Sequence, residues 1–278
     1  MSLRYVALWA VFLASMASGR LGFAAESAEI HDNSFLIEEA YNQEPGVVQH
    51  IQSFHYVKDG SWAYSFTQEW PVPRETHQLS YTVPVLRVTG PDETGFGDVA
   101  LNYRYQAIWT EEAALAPRFS LLLPTGDYKR GLGAGALGFQ INLPASFELY
   151  HKVVINLNAG STFVPGSRAT DGSHGNTVGF NYGASLIWLM MENFNLMFEA
   201  VGSSDQIVED GGHKSRSHTF LLNPGLRFAI NFRSGLQIVP GIAFPIGIGP
   251  SHGEYGVFAY LSFEHPLFSQ FLSPSKER

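Results

Sequence analysis

From Val47 onward, apolar and polar side chains alternate in stretches of roughly ten residues, and the breaks between stretches alternate between short and long. Residues 97–106 display the unit. Asp98, Asn102, Arg104 and Gln106 share one parity, and Val99, Leu101, Tyr103 and Tyr105 share the other. Successive strand side chains point to opposite faces, so this stretch folds as a strand with one aromatic, apolar face and one polar face. About twelve such stretches follow each other, at approximately 47–56, 61–70, 77–88, 96–108, 114–123, 136–148, 152–163, 178–190, 194–203, 217–230, 236–245 and 254–264. Each has roughly the 9–11 residues that a tilted strand needs to cross a bilayer, or slightly more.

The phase of the breaks is the stronger constraint. Those after the fourth, sixth, eighth and tenth stretches are tight, at about 109–113, 149–151, 191–193 and 231–235. Those after the third, fifth, seventh, ninth and eleventh stretches are mostly longer and rich in Gly, Asp, Ser and His, as at Thr125 to Gly135, Val164 to Thr177 and Ser204 to Arg216. A soluble sandwich has no reason to keep this phase. A membrane barrel does, with short turns on the periplasmic side, long loops outside and an even strand number. The expected fold is all-β: a closed antiparallel transmembrane β-barrel of about 12 strands, with a short helical segment at its N-terminus. That helix is expected around Asn33–Tyr41, capped by Asn33 or Ser34, with Glu38 and Glu39 near its start. Pro224, inside the tenth stretch, is awkward in a closed ladder.

The first residues fit the same compartment. Met1-Ser2-Leu3-Arg4 is basic, Tyr5 to about Ala17 is apolar, and small residues lead to Ala24 and Ala25. That order is a secretory signal, and the apolar run is shorter than the ~20 residues of a spanning helix. The expected organisation is a signal peptide at 1–25, a periplasmic or plug segment at 26–46, the barrel at 47–266 and a tail at 267–278, in a protein exported to the bacterial outer membrane. The chain has no Cys, which excludes a lipoprotein anchor and thiol chemistry. Without Arg4 and Arg20, 15 basic residues face 25 acidic ones, a net charge near −10. Such a chain offers no footprint for nucleic acid.

Gly95-Phe96-Gly97-Asp98, running into its alternating strand to Tyr105, resembles the outer-membrane transporter family named for the MetA pathway of phenol degradation. Leu122-Leu123-Pro124-Thr125-Gly126-Asp127 resembles that family's strand ending before a long Gly-rich loop. The resemblance runs from about Gly95 to the last strand. It implies an outer-membrane channel, in some members linked to uptake of aromatic or other hydrophobic compounds, and carries over no catalytic residue.

Glu69, Asp98, Arg104, Arg118, Glu148, Lys152, Glu199 and Arg227 fall on lumen parity, four acids and four bases. Two compatible roles are open to them: an ion-pair network that fills the interior, or a constriction that selects a solute. The candidate lumen and selectivity residues are Asp98, Asn102, Arg104, Gln106, Arg118, Glu148, Lys152, Glu199 and Arg227. Gly133-Ala134-Gly135-Ala136-Leu137-Gly138 matches a nucleotide-binding pattern, but a strand follows where that site needs a helix, so it reads as an outer loop. His174, His213, His218 and His252 have no metal-ligand spacing. No Gly-x-Ser-x-Gly elbow is present. The expectation is a non-enzymatic channel for passive passage of small molecules, plausibly hydrophobic or aromatic, with no cofactor. Its partners are outer-membrane lipid, the small-molecule solute and the barrel-assembly machinery. The alternatives are a structural or adhesive barrel with a blocked lumen and, further off, an outer-membrane hydrolase.

Overall fold

The computed structural model describes residues 34–90, 92–149 and 152–266. The expected signal peptide and C-terminal tail lie outside the described residues. Twelve antiparallel strands form one closed barrel. They are β1 (Val47–Val57), β2 (Trp62–Pro71), β3 (His77–Thr89) and β4 (Asp92–Phe96, resuming at Val99–Tyr105). Next come β5 (Ala113–Leu115, resuming at Arg118–Leu123), β6 (Gly138–Asn142, resuming at Ala145–Leu149), β7 (Val153–Arg168) and β8 (His174–Met191). The circuit ends with β9 (Phe194–Val208), β10 (Lys214–Phe228), β11 (Gln237–Ala243, resuming at Ile246–Gly247) and β12 (Gly256–Pro266). β12 pairs with β1 from Val57↔Gly256 to Val47↔Pro266, which closes the wall.

Burial is inverted relative to a soluble protein. Leu101, Phe119, Ile141, Phe180, Leu186 and Phe198 stand exposed on the outer wall, whereas Asn142, Asn156, Glu199, Asn223 and Arg227 are buried inside. A contiguous apolar exterior of this kind needs lipid to cover it. Trp70, Tyr105, Trp109 and Trp188 stand near the ends of strands that meet the short turns, where an aromatic belt lies.

Three local outcomes differ from the sequence expectations. No helix forms over residues 34–46; the segment is extended with bends. Its backbone N–H groups are taken by side chains of the wall, as described below. The long breaks expected at 164–177 and 204–216 shrink to five-residue turns, 169–173 and 209–213. Ladder pairs such as Ser167↔Gly175 and Asp205↔Ser217 carry the strands on into stretches whose polar residues occupy both faces. β8, at 18 residues, is therefore roughly 60 Å long, well beyond the ~25 Å apolar band even when tilted. Pro224 is accommodated by its neighbour: β11 is interrupted opposite it, and Phe244 N–H donates to the Pro224 carbonyl at 2.9 Å.

The wall is consequently uneven. β7 to β10 rise far above the membrane, while β11 stops early. Residues Lys214 to Ser217 of β10 have ladder partners on β9 but none on β11 among the described residues.

Candidate functional site

Residues Ser34–Gln43 run through the barrel lumen, and the wall binds them largely through their backbone. Leu36 and Ile37 N–H donate to Glu199 Oε1 at 2.8 and 3.1 Å. Glu38 N–H donates to Asn158 Oδ1 at 2.9 Å, and Ala40 N–H to Ser146 Oγ at 2.7 Å. Asn42 and Gln43 N–H donate to Gln106 Oε1 and Gln78 Oε1 at 2.9 and 2.8 Å. The carbonyls are held too: Arg104 donates to the Glu39 and Tyr41 oxygens, and Gln106 Nε2 to the Ala40 oxygen. An extended chain without a sheet partner must satisfy every buried amide by other means. Here inward Asn, Gln, Ser, Arg and Glu side chains supply those partners.

The plug side chain Glu38 is charged and paired. Arg118 binds the Glu38 carboxylate with two nitrogens, at 2.9 and 2.6 Å, and Asn142 Nδ2 adds a third bond at 3.1 Å. Burial pushes the Glu38 carboxyl up, but Arg118 and Arg104 outweigh it and hold it below the usual carboxylate range. The charge of Arg118 is thus met by the plug rather than by another wall residue.

The N-terminal end of the plug meets a different surface. Phe35 is 8% exposed and packs with Ile187, Met197, Ala243, Phe258 and Tyr260 on the inner face of β8 to β12. Its ring centroid lies 5.6 Å from that of Phe258 and 5.5 Å from that of Tyr260, both tilted. Beneath the ring are Gly225 and Gly241. A Cβ on either would come within 2.6 and 2.5 Å of ring carbons, closer than real contacts allow. Two glycines, paired to neighbours on adjacent strands, open the space the ring fills.

At the outer end, the loop 124–137 folds against the inside of the wall. Asp98 pins both its ends, accepting from Gly126 N–H at 2.9 Å and Ala134 N–H at 2.7 Å. Thr125 Oγ1 donates to the Gly97 carbonyl and accepts from Val99 N–H, both at 2.9 Å. Leu132 is buried beside Gly95 and Gly97. The two sequence stretches around Asp98 and Thr125 thus meet in space.

Among the cavities left in the described residues are two of about 630 Å³ each. One opens at the end where the chain enters β1 and is lined by Glu39, Tyr41, Glu75, Glu111, Glu148 and Arg227 among others. The other lies under the loop 124–137, between Tyr128 and the inner face of β7 to β9 at Thr162, Thr177, Asp205 and Gln206.

The structure sorts the candidate residues into groups. Arg104, Gln106, Arg118 and Glu199 hold the plug. Asn102 Oδ1 accepts from Arg118 Nη1 at 3.0 Å and from Ser120 Oγ at 2.6 Å, buttressing the plug's ion pair. Asp98 anchors the outer loop, and Glu148 and Arg227 line the cavity near the β1 entrance. Lys152 does not join them: it is exposed in the turn before β7. Sequence reasoning missed Phe35 with its glycine bed, and the uncharged lumen residues Asn142, Ser146 and Gln78. The excess of amides on one strand face was their only signal, because amides can both donate to and accept from a backbone.

The family model described as "Putative MetA-pathway of phenol degradation" matches residues 48–244. No curated protein matches the chain in sequence. Among solved structures, an outer membrane channel from Pseudomonas putida F1 aligns with a TM-score of 0.62 at 14% identity, over 81% of this chain and 97% of that one. The NanC porin aligns with a TM-score of 0.53 at 7% identity, over 78% and 98%. Both share the barrel fold.

Proposed function

The chain belongs to the family of the putative MetA pathway of phenol degradation, and we propose that it is an outer-membrane channel for passive passage of small molecules, kept shut by its own N-terminal segment. The observation that carries this reading is the lumen itself. A barrel built only as a structural element fills its interior with wall side chains that pair with each other. Here the wall's polar side chains are spent on a separable peptide, with open cavities at both ends of the lumen. Solutes would move down their gradient, sorted by pore width and by the charges lining it. An apolar cluster on the inner face of β8 to β12, set among polar residues such as Glu199, Asn223 and Arg227, suits small molecules with an apolar or aromatic body and a polar group. Lipid, the solute and the barrel-assembly machinery are its partners, a signal peptide at 1–25 its route of export and 26–46 its plug.

A second reading has one observation in its favour. The plug fills the middle of the lumen, as a barrel with a permanently blocked interior requires. Planar-bilayer recordings separate the two. The channel reading expects small or rare conductance from the intact protein, and large, steady conductance when residues 34–43 are deleted. A folded deletion variant that neither conducts nor passes solute in liposomes refutes it.

A further inference from the structure

The glycine-floored pocket under Phe35 has the makings of a ligand site whose occupant belongs to the chain itself. We propose that this pocket is a receptor for a planar apolar ring, that Phe35 occupies it in cis as a latch, and that a solute ring entering it displaces Phe35 and frees the end of the plug. The inference rests on the channel reading and names how that lumen would open.

Three features of the pocket support it. Its floor, Gly225 and Gly241, leaves room for a flat face where any Cβ would intrude on the ring. Its sides, Phe258 and Tyr260, meet the ring at tilts of 46° and 56°, geometries aromatic pairs favour. Met197 and Ala243 complete its apolar lining, with Arg227 at the edge of the floor beside Gly241. Around Phe35, Leu36 and Ile37 N–H donate to Glu199, and Ser34 Oγ donates to Ser185 Oγ at 2.7 Å and accepts from Asn156 Nδ2 at 3.0 Å. The stronger anchors, Arg118 and Arg104, grip the chain from Glu38 onward. Losing the ring would release residues 34–37 while 38–43 stay docked, and would open the lumen on the β8 to β12 side. Because the latch competes with the ligand, apparent affinity is reduced to the fraction of molecules whose pocket is vacant.

Purified protein in detergent is titrated with fluorobenzene, with fluorine NMR reading saturable binding above micelle partitioning. Phe35→Ala leaves an apolar cavity of the kind that stays dry and takes up a benzene-sized ring. It is expected to bind at least about tenfold more tightly than the intact protein. The double variant Phe35→Ala/Ala243→Leu, which refills the cavity, is expected to lose that binding. Phe163→Ala, on the outer face, is expected to behave as the intact protein does. Equal binding by Phe35→Ala and the refilled variant, or no saturable binding by a folded Phe35→Ala, overturns the proposal. Bilayer recordings on the same samples keep it distinct from the channel reading. A Phe35→Ala protein that conducts freely but binds no fluorobenzene refutes the latch and leaves the channel. One that binds fluorobenzene, yet conducts nothing even with residues 34–43 deleted, refutes channel opening and leaves only a ring pocket.

Discussion

Hydrogen bonds run along the whole plug, but the side chains at its two ends are held by opposite chemistry. Glu38–Gln43 lies among Arg104, Arg118, Gln106, Gln78, Ser146 and Asn158, which bind its backbone and one carboxylate directionally. Phe35 lies against Met197, Phe258, Tyr260 and two glycines, which offer shape and desolvation. Hydrogen bonds fix a register because each one demands its own partner, and leaving one unmade is costly. Apolar packing is non-directional and scales with the area covered, so another body of similar shape can replace the first. The polar half therefore sets where the plug sits, and the apolar half sets how readily its tip lets go.

This contrast can be broken from either side. The absence of cysteine permits a clean readout: a Ser34→Cys background, buried when the plug is docked, labelled by maleimide as the plug leaves. The largest effect is expected from Arg118→Ala, which strands the Glu38 carboxylate beneath the surface. A docking loss of about 3 kcal/mol is expected, discounted for the pair's partial exposure, or roughly a hundredfold faster labelling. Met197→Ala should follow, with a loss of about 2 kcal/mol from a hole beside Phe35, independent of pH. Glu38→Gln keeps the shape but loses the charge, and should weaken docking by about 1.5 kcal/mol.

That variant also tests the sign of the pH response. Glu38 titrates below its ordinary range when docked, so its contribution is complete above the ordinary carboxylate pKa and is lost as pH falls through the depressed one. Labelling of the parent, divided at each pH by the rate of a free thiol, should accelerate at acid pH, and Glu38→Gln should flatten that acceleration. A parent whose labelling ignores pH breaks the assignment of Glu38 as the polar anchor. Lys152→Ala, exposed in its turn, should change labelling and heat stability by less than about 0.5 kcal/mol.

Strands were legible wherever lipid enforces alternation. Val99, Leu101, Tyr103 and Tyr105 face lipid, and their partners face the lumen, so the period of two was plain. Above the membrane that enforcement ends. Residues around Ser167, Thr177, Ser204 and Arg216 are polar on both faces and read as loop, yet their backbone ladder continues. A plug was one of two roles open to the N-terminal segment, but its extended conformation and its partners were illegible for a different reason. Ser34–Gln43 has no period, because its partners are side chains scattered over many strands and brought together only by closure. Arg104, Gln106, Arg118 and Glu199 could be placed on the lumen face from parity. That they grip a peptide, rather than each other, is a fact of three dimensions.

The uneven wall carries a cost that the sequence also manages. Where β10 climbs past the end of β11, Lys214 to Ser217 present a strand edge outside the bilayer, the sort of edge on which another strand can grow. Lys214, Arg216 and, just below, His218 are exposed there. Two fixed positive charges within four residues make the edge a poor template for a second copy of itself, since like charges would meet across the new ladder. The barrel can thus stand tall on one side in a crowded membrane without zipping to its neighbours.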